Sequence, residues 1–167
     1  MAKMHYINKN KLGEKFVPKG IHSDNTDIVR LLKQDFLENN PVLRAYVNVE
    51  DVLAELDEIL KADPQNIYRV GTGEIADSLA LDYILPYSDK LIPFFNSREN
   101  ALLELKTKSS CVENLLRHEP KNVVVSWSIN PPEIVEKEEK YTASLKDRLE
   151  SARLCLEKGF RVGIHFD

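Results

Sequence analysis

The sequence predicts an α/β fold built on a parallel sheet with right-handed crossovers. Short β-branched and aromatic runs alternate with helical periodicities at least three times. The runs at 102–108, 123–130 and 161–166 each alternate between an apolar face and a polar face. The run at 67–74, IYRVGTGE, ends in two glycines around a threonine and then a carboxylate, as a buried strand does when it stops at an open backbone loop.

With 167 residues the chain is long enough for one domain with a core of its own. A formal net charge of −4 gives an overall field that does not favour nucleic acid, although a local basic patch could still bind it. No run is apolar and long enough to span a membrane, and Met1 opens no signal peptide. The two cysteines, Cys111 and Cys155, are far apart and form neither a disulfide framework nor a metal motif. A reducing cytoplasm is the expected location.

In chain order, residues 1–23 read as a loose basic arm with Lys3, Lys9, Lys11, Lys15 and Lys19. Ile28, Leu31, Leu32 and Phe36 have helical spacing, capped by Asp24, Asn25 or Thr26 and stopped at Asn39-Asn40-Pro41. Residues 42–47 read as a short strand. Asn48 is expected to cap a helix with Asp51 in a capping box; Val49, Val52, Leu53, Leu56, Ile59 and Leu60 form its buried stripe, and Asp63-Pro64 ends it. The strand at 67–73 follows. Residues 78–87 read as a short helix ending near Pro86. Residues 90–95, KLIPFF, read as an edge segment or a turn because of the proline. Residues 102–108 form a strand, 111–116 a short helix, 119–122 a turn and 123–130 a strand stopped by Pro131-Pro132. A charged linker runs to Tyr141, its charge run at 133–140 a solvated face. Ser144 caps the clearest helix, with Asp147 three residues on; Leu145, Leu149, Ala152 and Leu156 face inward, and Gly159 ends it. The last strand is 161–166.

Leu103, Leu105, Val123, Val125 and Trp127 should pack under helices. Glu104, Lys106, Lys108, Ser126, Ser128, Asn130, His165 and Asp167 should share the opposite face. The C-terminal ends of parallel strands are where such sheets hold ligands. Two readings stay open: a sheet solvated on its polar side, or a polar lumen for a charged small molecule. In the second, Lys108 pairs a carboxylate or phosphate, Ser128 and Asn130 orient it, and Glu74 accepts from an amine. Gly71 and Gly73 let the backbone approach a ligand, or serve a turn alone. His165 reads as structural. His5, His22 and His118 have no partners visible in the sequence, and no residue is given a catalytic role.

GTGE at 71–74, DSLALD at 77–82, ENALLELKTKS at 99–109, SWSIN at 126–130, TASLKDRLESA at 142–152 and VGIHFD at 162–167 together resemble the spore photoproduct lyase family of radical SAM enzymes, related to DNA-repair lyases. The resemblance covers about residues 34–167 and implies a partial parallel (β/α) barrel of the radical SAM type, incomplete at both ends. It implies an S-adenosylmethionine site at the strands' C-terminal ends. Gly71, Thr72, Gly73 and Glu74 would receive the methionine amino group, Lys108 and Ser128 would be polar partners of its carboxylate, and Asn130 would lie beside them.

The departure lies in the 4Fe–4S motif, C-x3-C-x2-C. Counting back from QDFLENNPVLRAYVN at 34–48, its positions fall on Asp24, Ile28 and Leu31, which offer no thiolate. Residues 1–33 are thus an atypical front and no metal ligand is assigned. The cysteine that donates a hydrogen atom in the family's lyases falls on Gly71. The resemblance thus implies a DNA-repair-lyase relative that lacks cluster ligands and is a fragment or inactive on its own. The alternatives are a non-catalytic S-adenosylmethionine or nucleotide-binding module, and a remnant that self-associates through exposed strand edges. DNA is a partner by resemblance only.

Overall fold

The computed structural model describes residues 48–73, 77–139 and 142–166. The readings placed on residues 1–47, on Glu74 and on Asp167 lie outside these. Helix α1 (Val49–Ala62) leads into strand β1 (Tyr68–Thr72), helix α2 (Ser88–Asn96) and strand β2 (Ala101–Thr107). A 3₁₀ turn (Leu115–Arg117) precedes strand β3 (Val123–Ser128); helices α3 (Pro132–Glu138) and α4 (Leu145–Lys158) then lead to strand β4 (Arg161–His165).

The four strands form one sheet in the order β1-β2-β3-β4, every neighbour parallel. Consecutive parallel strands require crossovers, and α2 packs on β2 and β3 while α4 packs on β3 and β4. The expected faces are found. Leu103, Leu105, Val123, Val125 and Trp127 are buried with Ile92 and Phe95 of α2 and Ala152 and Cys155 of α4. The buried Leu, Val, Ile and Phe side chains each contribute about 1.5–3 kcal/mol by leaving water. Lys106 is in register with Ser126 and then Gly163, and Ser128 with His165, on the opposite face.

Six local expectations are corrected. Residues 78–87 form turns, not a helix. Asp77 Oδ1 accepts from Leu79 N and Ala80 N, and Asp82 Oδ1 from Ser88 N, so side-chain acceptors hold amides outside any helical ladder. Residues 90–95 belong to α2 despite Pro93, because Ile92 and Phe95 are fully buried against the sheet. The helix expected at 111–116 shrinks to the 3₁₀ turn. The charged linker contains α3, whose first position is Pro132, where the missing N–H has no helical partner to lose.

The fifth correction concerns α4. Its buried residues are Arg148, Ser151, Ala152 and Cys155, whereas Leu149 and Leu156 are 49% and 57% exposed. A polar stripe faces the sheet because Arg148 and Ser151 find acceptors there, Arg148 at Ser128 O and Ser151 at Ser110 O. The Ser144 cap forms as expected, accepting from Asp147 N at 3.2 Å. The Asn48 side chain makes no cap hydrogen bond to α1.

Candidate functional site

The C-terminal edge of the sheet gathers the residues singled out by sequence, in two groups. The first is the glycine loop. Gly71 lies opposite Glu104 in β2. Thr72 Oγ1 and Ser78 Oγ share a hydrogen bond of 2.7 Å. Gly73 adopts φ 95°, and a Cβ there would stand 2.2 Å from the carbonyl oxygen of Lys106. Only glycine fits such a backbone-to-backbone approach. Glu74 lies outside the described residues.

The second group centres on a carboxylate that the sequence reading placed on a solvated face. Glu139 Oε1 accepts from Lys108 Nζ and from Asn130 Nδ2, each at 2.7 Å. Its Oε2 accepts from Arg148 Nη2 at 2.5 Å. Arg148 is fully buried and also donates to Ser128 O, Ala143 O and Thr142 Oγ1. Lys108, Ser128 and Asn130 are therefore tied to one Glu139–Arg148 hub. Burial pushes the Glu139 carboxyl up, but hydrogen bonds from Lys108, Arg148 and Asn130 outweigh it and hold the group below its ordinary value.

Asp77 joins the two groups. Its Oδ1 accepts from Thr107 Oγ1 and its Oδ2 from Lys108 N, both at 2.6 Å. Asp77 is thereby pinned to the end of β2 beside Lys108.

A third cluster was not assigned from sequence. Glu104, fully buried in mid-strand, accepts from Ser126 Oγ and meets His165 Nε2 at 3.1 Å. Arg69 Nη2 lies 2.5 Å from Glu104 Oε2 as an ion pair, and the buried Arg69 Nε has no hydrogen-bond partner among the described residues. Burial raises the Glu104 carboxyl, but the Ser126 and His165 hydrogen bonds and the Arg69 charge more than reverse this. The signal in the sequence was a single carboxylate inside the apolar run LLELK; neither Glu139 nor Arg148 gave any comparable signal.

An open cleft of about 700 Å³ lies between α3 and the start of α4 and reaches Glu139 beside Val135, Thr142 and Leu145. Among the described residues, Gly71, Thr72 and Gly73 do not line it. Among the described residues no three His, Cys, Asp or Glu side chains are grouped to hold a metal ion. The three positions implied for cluster ligands carry Asp24, Ile28 and Leu31, and a donor set without thiolates does not fit an iron–sulfur cluster. Lys108 Nζ, paired with Glu139 Oε1 at 2.7 Å, belongs to a side chain that is 31% exposed beside a polar strand end. Among the described residues no helix is long and apolar enough to cross a membrane.

Residues 31–166 match the family model described as spore photoproduct lyase. The spore photoproduct lyase of Clostridium acetobutylicum is 27% identical over 124 residues, which is 74% of this chain and 37% of that protein. The Bacillus subtilis spore photoproduct lyase is 26% identical over 132 residues, 78% of this chain and 38% of that protein. This chain thus spans a little over a third of the length of these relatives. Among solved structures, a spore photoproduct lyase double mutant with bound AdoMet and dinucleoside spore photoproduct superposes with a TM-score of 0.71 at 28% identity, covering 79% of this chain and 39% of that one. A spore photoproduct lyase complexed with dinucleoside spore photoproduct gives the same TM-score and coverage.

Proposed function

The chain belongs to the spore photoproduct lyase family, and from that premise we propose that it provides the S-adenosylmethionine-binding part of a lyase-like radical SAM barrel without cluster ligands of its own. One observation carries this reading. Lys108, Ser128 and Asn130 converge on the Glu139–Arg148 hub at the C-terminal edge of a parallel sheet. A structural neighbour binds AdoMet, which supports the same ligand here. Lys108 and Ser128 meet the ligand's carboxylate, and Gly71, Thr72, Gly73 and Glu74 receive its amino group. Residues 34–167 act as the barrel portion and residues 1–33 as a separate lead segment. DNA bearing a photoproduct is the substrate class on this reading, because neighbours bind the dinucleoside lesion.

In the family, iron also grips the amino and carboxylate groups of the ligand. A pocket without that iron lacks two charge-assisted contacts, each worth about 1.5–3 kcal/mol. Affinity is then weaker by about a hundredfold or more. Calorimetry with S-adenosylmethionine tests this. The expected result is weak binding that Lys108→Ala and Glu74→Ala remove. Tight binding indifferent to both substitutions places the pocket elsewhere. Anaerobic reconstitution tests the cluster statement: stoichiometric iron that survives Cys111→Ala and Cys155→Ala overturns it.

The second reading is self-association. β1 and β4 are the outer strands of the sheet, and Ile164 and Phe166 by β4 are exposed, Phe166 at 82%. Sedimentation that gives a concentration-independent monomer mass removes this reading.

A further inference from the structure

We propose that Arg69 and His165, both backed by Glu104, form a binding site for a phosphate group on the polar face of the sheet. The site takes one residue from each strand: Arg69 from β1, Glu104 from β2, Ser126 from β3 and His165 from β4. Glu104 is fully buried and is not itself presented to a ligand. Its two neighbours are presented: the Arg69 and His165 side chains are 36% and 29% exposed. The carboxylate meets the imidazole Nε2 through Oε1 at 3.1 Å and the guanidinium Nη2 through Oε2 at 2.5 Å, so both side chains are anchored on one group.

A purely structural role explains this cluster poorly. Buried ion pairs contribute little to stability compared with apolar packing, and the buried Arg69 Nε has no hydrogen-bond partner among the described residues. The surrounding sequence also makes room for it. A Cβ at position 163 would stand 2.5 Å from Ser126 Oγ, so Gly163 leaves the space in which that hydroxyl reaches Glu104. A planar guanidinium presents N–H donors suited to the oxygens of a phosphate, and the imidazole, whose Nε2 faces Glu104, turns its Nδ1 to the ligand, a donor in the imidazolium form. His165 stands in register with Ser128, so such a phosphate lies beside the strand ends assigned to the cofactor. S-adenosylmethionine titration of the same sample reads the cofactor site separately.

Ring-labelled histidine makes the site observable by NMR, with the His165 signal identified by its loss in His165→Gln. The wild-type chain is titrated with inorganic phosphate, with the dinucleoside monophosphate thymidylyl-thymidine, and with its uncharged methylphosphonate counterpart. The expected result is a saturable shift of the His165 ring with a phosphate-bearing probe. The methylphosphonate should bind about tenfold or more weaker, and Arg69→Gln should weaken the charged probe by about ten- to hundredfold. A response to inorganic phosphate alone assigns a free-anion site, and a response to the diester assigns a nucleotide site. A His165 ring unmoved by both charged probes overturns the proposal, as does equal binding of the methylphosphonate. The wild-type titrations decide the matter even where Arg69→Gln fails to fold.

Discussion

Arg148 and Glu139 form a buried pair, Nη2 to Oε2 at 2.5 Å, that links α4 to the end of α3 and holds Lys108 and Asn130 on the other carboxylate oxygen. Cutting a buried pair on one side leaves a charge without compensation. Arg148→Met should therefore destabilise the fold by about 3–5 kcal/mol. Urea unfolding checks this through its midpoint. A midpoint equal to wild type would mean that the hub does not hold the sheet edge together.

Acid should weaken the same region. The folded-state carboxyls of Glu139 and Glu104 both lie below their ordinary value of 4.5. A depressed carboxyl contributes stability that is fully present above the ordinary value and is lost as pH falls through the folded value. Stability should be flat from neutrality to about pH 5 on this account, then decline. In Glu139→Gln the decline should be shallower, which unfolding midpoints measured at stepped pH values will reveal.

Gly73→Ala should cost at least about 1–3 kcal/mol, because φ 95° strains an L residue and the added carbon meets the Lys106 carbonyl. Gly163→Ala should cost about 1–3 kcal/mol for a different reason, overpacking against Ser126. Thermal denaturation of both variants checks this. Equal melting temperatures for wild type and Gly73→Ala would rule out the close approach of loop and β2.

The two thiols should react at very different rates. Burial pushes the Cys155 thiol up to about 12, and its side chain is inaccessible, whereas Cys111 is half-buried. A chromogenic disulfide reagent at pH 8 should titrate one thiol quickly in the native chain and the second only on unfolding. Loss of the fast phase in Cys111→Ala confirms the assignment; two fast thiols in the native chain contradict it.

The sequence by itself determined the parallel sheet, its faces and the family. Period-two alternation separates Leu103, Leu105, Val125 and Trp127 from Glu104, Lys106, Ser126 and Ser128, and a one-residue error would have inverted every face. The Ser144 cap was legible because its partner, Asp147, lies three residues away. Tertiary structure alone decided the contacts that cross the chain. Pro93 enters a helix because α2 buries Ile92 and Phe95, an energy absent from local propensity. The inward face of α4 carries Arg148 rather than Leu149 because the carbonyl of Ser128 and the carboxylate of Glu139 wait there. Glu104 and His165 are 61 residues apart, and only the register of four parallel strands sets one beside the other. Hydrophobic pattern specifies which side of an element is buried; it carries no information about which buried polar atoms meet, because that depends on distances between elements remote in sequence.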